Sequence, residues 1–135
     1  MHGIPLERLR REGEPHDRVA RRMLEALTGH ELYASAPSWD GQWNSRLLRA
    51  AGLPRHALRL RDTEEAQRDA ILAVLRRAGL PEAGWQAAVD RIRSAAMRAE
   101  EAEGPPAHRA LEDARRELRL WRDMHRWAEK EIAAG

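Results

Sequence analysis

Apolar residues recur at helical spacing along nearly the whole chain. Val19, Ala20, Met23, Leu24 and Leu27 follow the three-and-four step of one helix face, with Pro15 and Asp17 in the first turn and Gly29 at the end. A shorter helix between Pro5 and Gly13 would turn Leu6 and Leu9 inward. Ser38 is placed to cap a helix carrying Trp39, Trp43, Leu47 and Leu48. Asp62-Thr63-Glu64-Glu65 resembles a capping box, and Ala66, Ala70, Ile71, Val74 and Leu75 form the buried face behind it. Pro81 opens a longer helix with Trp85, Val89, Ile92, Ala96 and Ala99 inward. Strand signals are nearly absent. Residues 30–38 read as a loop. Ala57-Leu58-Arg59-Leu60-Arg61 alternates briefly, but a lone strand has no partner, so a turn or short helix is expected there.

Two stretches share one punctuation. Leu47-Leu48-Arg49-Ala50-Ala51-Gly52-Leu53-Pro54 and Val74-Leu75-Arg76-Arg77-Ala78-Gly79-Leu80-Pro81 match at a spacing of 27 residues. Each predicts a helix C-cap: glycine left-handed, leucine packing back, proline preventing continuation. Two matches do not make a solenoid. The second could join the helices of a helix-turn-helix, but Glu82-Ala83-Gly84 is an acidic, alanine-rich start for a groove-reading helix. A plain helix corner is expected instead.

Gly104-Pro105-Pro106 is the sharpest break. After it, one amphipathic helix is expected from about Pro106 to Ala134. Leu111, Ala114, Leu118, Trp121, His125, Ala128 and Ile132 form a seam with the spacing of a coiled coil or bundle. Leu120, Met124 and Trp127 add a second apolar row. One helix rarely needs two rows for one neighbour: either the helix lies across the bundle or one row faces another molecule, and Leu120, Met124 and Trp127 are the expected protein interface. The expected fold is all-α: a compact bundle of five or six helices with a long C-terminal amphipathic helix. A single helical domain over 1–135 would consist of short basic helices in 1–61, packed on three longer scaffold helices in 62–135.

Charge changes the picture in one respect. The chain holds 23 arginines and one lysine, and its net charge is only +2. Residues 1–61 carry 11 Arg against 7 acids, a net +4, whereas residues 62–135 carry 13 cations against 15 acids, a net −2. Arginine presents a planar fork to phosphates and carboxylates. Arg8, Arg10, Arg11, Arg18, Arg21 and Arg22 form one candidate contact for nucleic acid or an acidic partner. Arg115, Arg119, Arg122 and Arg126, continued by Lys130, form a second along one side of the last helix. The chain has five tryptophans, one tyrosine and no phenylalanine. The tryptophans are therefore expected chiefly in the core, with Trp127 the first exception and a base-stacking platform as the alternative.

Reactive chemistry finds little support. With no cysteine, disulfides, thiolate zinc sites and a cysteine nucleophile are excluded. None of the six histidines follows a carboxylate by three residues, and His-Glu-x-x-His is absent. His108/Glu112 and His125/Glu129 are isolated one-turn pairs. The all-α HEPN ribonucleases are similar in size and class and use Arg, four to six residues, then His. Arg11…His16, Arg49…His56 and Arg119…His125 fit that loose spacing. The first two straddle glycine and proline breaks, and the third puts its histidine in the apolar seam. No phosphate loop or nucleophile elbow is present. No cofactor or metal is expected, and no enzyme.

Mean hydropathy is −0.75, no apolar run approaches a membrane span, and Met1-His2-Gly3-Ile4-Pro5 lacks a signal-peptide layout. A cytoplasmic protein is expected. The expected function is a non-enzymatic binding module, a regulatory or assembly subunit docking on a larger complex or on its own copy. The alternative is a nucleic-acid-associated subunit gripping an RNA or DNA backbone.

Overall fold

The computed structural model describes residues 3–104 and 109–134. The fold is all-α, 73% helical with six α-helices and little sheet among the described residues. Packing divides it into two compact units, His2–Thr63 and Glu64–Gly135.

The amino-terminal unit holds α1 (Leu6–Glu12), α2 (His16–Leu27), β1 (Leu32–Ala34), α3 (Pro37–Ala50) and β2 (Leu60–Asp62). The two strands correct the sequence reading. β1 lies in the expected loop and β2 overlaps the expected turn, and they pair in parallel with Leu32 opposite Leu60 and Ala34 opposite Asp62. A parallel pair needs a crossover of a dozen or more residues, and α3 supplies it. Each strand has only three residues, too short for a visible alternation.

Ala20, Leu48 and Leu58 are the buried centre of this unit, with Met23, Leu24, Leu27, Leu32, Leu47 and Leu53 packed on them. α1 contributes nothing to it: Leu6 and Leu9 are exposed, not inward. Two leucines on a seven-residue helix bury too little area to hold it against its charged neighbours. Ser38 does not cap α3. Pro37 takes the first helical position, where its missing N–H costs nothing, and Ser38 falls inside the first turn.

The carboxy-terminal unit is built from α4 (Thr63–Arg77), α5 (Trp85–Ala102) and α6 (Ala110–Ala134), with a 3-10 turn at Glu82–Gly84. The expected start of the last helix at Pro106, and His108, lie outside the described residues. Ala70, Ile71, Val74 and Leu75 of α4 meet Ala88, Val89, Ile92 and Ala96 of α5 and Met124 and Ala128 of α6. Ala99, expected inward, is exposed, and Ala88 is buried in its stead.

Both expected C-caps form. Gly52 and Gly79 have φ of +71° and +69°. Leu53 N–H donates to Leu48 O at 2.9 Å and Gly52 N–H to Arg49 O at 3.0 Å. Leu80 N–H donates to Leu75 O at 3.3 Å and Gly79 N–H to Arg76 O at 3.1 Å. This is the paired closure of a Schellman motif, which satisfies carbonyls that would otherwise be orphaned.

The two apolar rows of α6 are exchanged relative to the sequence reading. Met124 is 1% exposed, and Leu120 and Trp127 pack on the same core. The expected interface row therefore faces inward. Leu111 and Leu118 of the expected seam are 63% and 46% exposed. Only Ala128 and Ile132 of that seam pack on the core.

Substitutions separate these roles. Gly52→Ala and Gly79→Ala are each expected to cost about 1–2 kcal/mol, because alanine is strained at positive φ. Gly41→Ala lies mid-helix in α3, where an added Cβ meets no atom within 4 Å. It is expected to stabilise by about 0.5–1 kcal/mol. Met124→Ala should cost about 2–5 kcal/mol, and Leu118→Ala less than about 0.5 kcal/mol. Urea unfolding of the five variants measures all of these.

Candidate functional site

α3 has to cover the strand pair and α2 with one face and meet solvent with the other. Leu47 and Leu48 pack on the core of the unit, and Gly41, Asn44 and Ser45 are partly buried beside them. Asn44 Nδ2 donates to Leu58 O at 3.4 Å. Nine residues separate Trp39 from Leu48, which at 100° per residue is about half a turn. Trp39 therefore points away from the packed side, with Trp43 one turn on.

The result is an exposed aromatic pair. Trp39 is 61% and Trp43 51% exposed, which corrects the expectation that these tryptophans fill the core. Their ring centroids are 6.1 Å apart and their planes meet at 74°, edge to face. The Arg46 guanidinium carbon lies 4.7 Å from the Trp43 ring centroid, a cation–π contact. Gln42 and Arg49 are exposed on the same side of the helix. The outward stripe Trp39, Gln42, Trp43, Arg46, Arg49 thus carries aromatic faces, an amide and two guanidiniums, and no leucine, isoleucine, valine or methionine. Sequence reasoning passed over Arg46 and weighed Arg49 only as a partner of His56. The signal for them was helical spacing: Arg46 stands three residues after Trp43 and seven after Trp39, and Arg49 three after Arg46.

The first arginine group is divided by the structure. Arg8 Nε and an Arg11 terminal nitrogen each donate to Glu12 at 2.8 Å. Arg11 foremost, then Arg8, hold the Glu12 carboxyl below the usual glutamate range. Arg22 lies 3.6 Å from Glu14. Arg10, Arg18 and Arg21 make no ion pair among the described residues. Arg18 and Arg22 stand on the side of α2 opposite Ala20, Leu24 and Leu27, which pack in the core shared with α3, and Arg21 lies on its flank.

The second group stays together along α6. Arg126 pairs with Asp123. Arg115, Arg119, Arg122 and Lys130 make no ion pair among the described residues. Arg116, which no motif singled out, has a structural task. It donates to Gly104 O at 3.0 Å and to Glu100 O at 2.9 Å, and its Nε is 3.1 Å from a Glu100 carboxylate oxygen. It thereby closes the carboxyl end of α5.

The histidines do not assemble with carboxylates. His125 packs edge-on against Trp121 at 4.8 Å, and His16 Nε2 lies 3.4 Å from Ala50 O. Among the described residues, no group of three or more His, Cys, Asp or Glu is placed to hold a metal ion. A cavity of about 360 Å³ opens in the carboxy-terminal unit between Leu75, Leu80, Trp85, Ala88 and Ile132. The Trp85 indole N–H is engaged by Leu80 O at 3.1 Å, and the two charged residues of the lining, Arg91 and Glu131, pair at 2.7 Å. That lining offers a shape without a reactive group.

Emission spectroscopy tests the exposed pair. Trp39→Phe with Trp43→Phe should remove most of the acrylamide-quenchable, red-shifted tryptophan emission. It should move stability by no more than about 0.5 kcal/mol, as expected of surface positions. Unchanged quenching would place these rings inside the fold.

Compared with protein-family models, curated proteins and solved structures, the chain matches none of them.

Proposed function

We propose that the chain is a non-enzymatic, cytoplasmic binding module, a regulatory or assembly subunit of a nucleic-acid-containing complex, and that α3 carries its contact face. The observation behind this is the exposed Trp39–Trp43 pair with Arg46 across the Trp43 ring. Tryptophan is costly to leave in water, whereas arginine and tryptophan together suit phosphates and bases. The net +4 of residues 1–61 supplies the charge complement to a polyanion. Leu120, Met124 and Trp127 are withdrawn as the contact row, since their own core covers them.

A second surface favours a protein partner. Leu111, Leu118 and Trp121 remain exposed on α6, with Leu111 and Leu118 a heptad apart, which suits a partner helix. Its aliphatic character differs from that of the α3 stripe, so the two surfaces can be tested apart.

Labelled RNA and DNA oligonucleotides should bind with affinity that falls steeply as salt rises. Arg46→Ala with Arg49→Ala should weaken binding. On a single strand it should also lower the slope of log K against log salt by about 0.7 for each phosphate that is no longer neutralised. Leu118→Ser, on the other surface, should leave oligonucleotide binding unchanged. Absence of binding by the parent protein at about 50 mM salt would remove this reading.

A further inference from the structure

We infer that the α3 face holds a single strand, RNA or DNA, with unpaired bases stacked on Trp39 and Trp43 and the backbone drawn along Arg46 and Arg49. This rests on the nucleic-acid reading above and goes beyond it, because backbone binding alone needs no aromatic residue. Three observations carry it.

The first is the state of the rings. At 74° and 6.1 Å they do not stack on each other, and each is more than half exposed. Both keep ring surface for a flat ligand. The Arg46 guanidinium carbon lies 4.7 Å from the Trp43 centroid, so this ring already engages a partner through its π-face. A base can use such a face as well, and stacking tolerates any sequence because every base has a π-face of its own.

The second is the composition of the stripe. It has no aliphatic residue to enter a hydrophobic pocket on a protein, in contrast to Leu111 and Leu118 on α6. Arg46 and Arg49 lie about one turn apart, able to follow a backbone along the helix, and Gln42 offers an amide to base edges beside the rings. Arg46 and Arg49 make the stripe itself cationic, which favours a polyanion over a neutral aromatic ligand.

The third is steric. In a duplex the bases are stacked at about 3.4 Å and their faces are closed. An indole reaches a base face there only after the stack is opened, at a cost in free energy. A single strand presents those faces already open. The helix surface is convex, and a flexible strand can bend over it.

The test compares three ligands of about 16 nucleotides: a mixed-sequence single strand, its duplex, and an abasic strand with the same phosphates and no bases. Fluorescence anisotropy at low salt should show the single strand bound about tenfold or more tighter than the other two, with quenching of intrinsic tryptophan emission. Trp39→Ala with Trp43→Ala should bring single-strand affinity down to the abasic level and leave abasic binding as it was. Trp39→Phe with Trp43→Phe, which keeps a π-face, should recover part of the loss. Unchanged thermal midpoints show that the variants fold. Equal affinity for single strand, duplex and abasic strand, or tighter binding of the duplex, would overturn the stacking inference and leave the nucleic-acid reading standing. Failure to bind any of the three would overturn both and turn the α3 face toward a protein partner.

Discussion

The amino-terminal unit depends on how closely α3 approaches the strand pair. Two parallel strands of three residues cannot stand alone, and the crossover helix is their cover. Leu48, fully buried, anchors that cover between Ala20 and Leu58. Leu47 packs beside it, and Asn44 fills the same side with its amide donated to Leu58 O. The bulk of α3 therefore has one direction left, and Trp39 and Trp43 take it. The exposed aromatic face follows from the need to seat a helix on a very small sheet.

A comparable constraint decides the orientation of α6. The helix has apolar residues over more than half its circumference, so spacing alone supports either row as the buried one. The cations resolve it. Arg115, Arg119, Arg122, Arg126 and Lys130 run along one side that includes Arg126, and Met124 and Ala128 each stand two residues from it, about 200° around the helix. The side opposite the charged stripe packs, and Met124 and Ala128 are its two most buried residues. Leu111 and Leu118 sit near the stripe instead, and remain outside with it. Arg116 belongs to neither group. Its side chain is turned to the α5 terminus, where its guanidinium meets two carbonyls and a carboxylate.

The features legible in the sequence were those set by a local conformational rule. Gly52 and Gly79 could be placed as C-caps because glycine, leucine and proline each do a separate task within a few residues. The α4 face was legible because Ala70, Ile71, Val74 and Leu75 have no competing row. The features that were missed depend on something distant in the chain. β2 has no meaning without β1, which lies 28 residues earlier at matched register, as in Tyr33 opposite Arg61. The orientation of the tryptophans depends on that sheet in turn. A count of aromatic residues predicts burial on average, but it has no knowledge of the face that a sheet already occupies. The candidate site was accordingly split: Trp39 and Trp43 could be placed on one helix with a base-stacking platform as the alternative to burial, whereas their exposure and their company with Arg46 and Arg49 could not be named.

The exposed pair is not explained by a shortage of interior space for aromatics in general. In the same chain, Trp85 and Trp127 pack against a core made largely of alanine and branched aliphatic residues. Trp85 uses its N–H on Leu80 O and lies beneath the Arg76 guanidinium, 5.6 Å from the ring centroid. The chain thus uses tryptophan in two distinct ways. On α5 and α6 these rings fill space, and the polar edge of Trp85 is satisfied internally. On α3 two rings stand one turn apart with an arginine on one of them, and neither fills a gap in the described fold. Lysine could not substitute for that arginine on equal terms, since only a guanidinium offers a plane to the ring and a fork to a phosphate together. That double fit makes the α3 face a surface with a defined chemical preference, where a merely apolar patch would accept any partner.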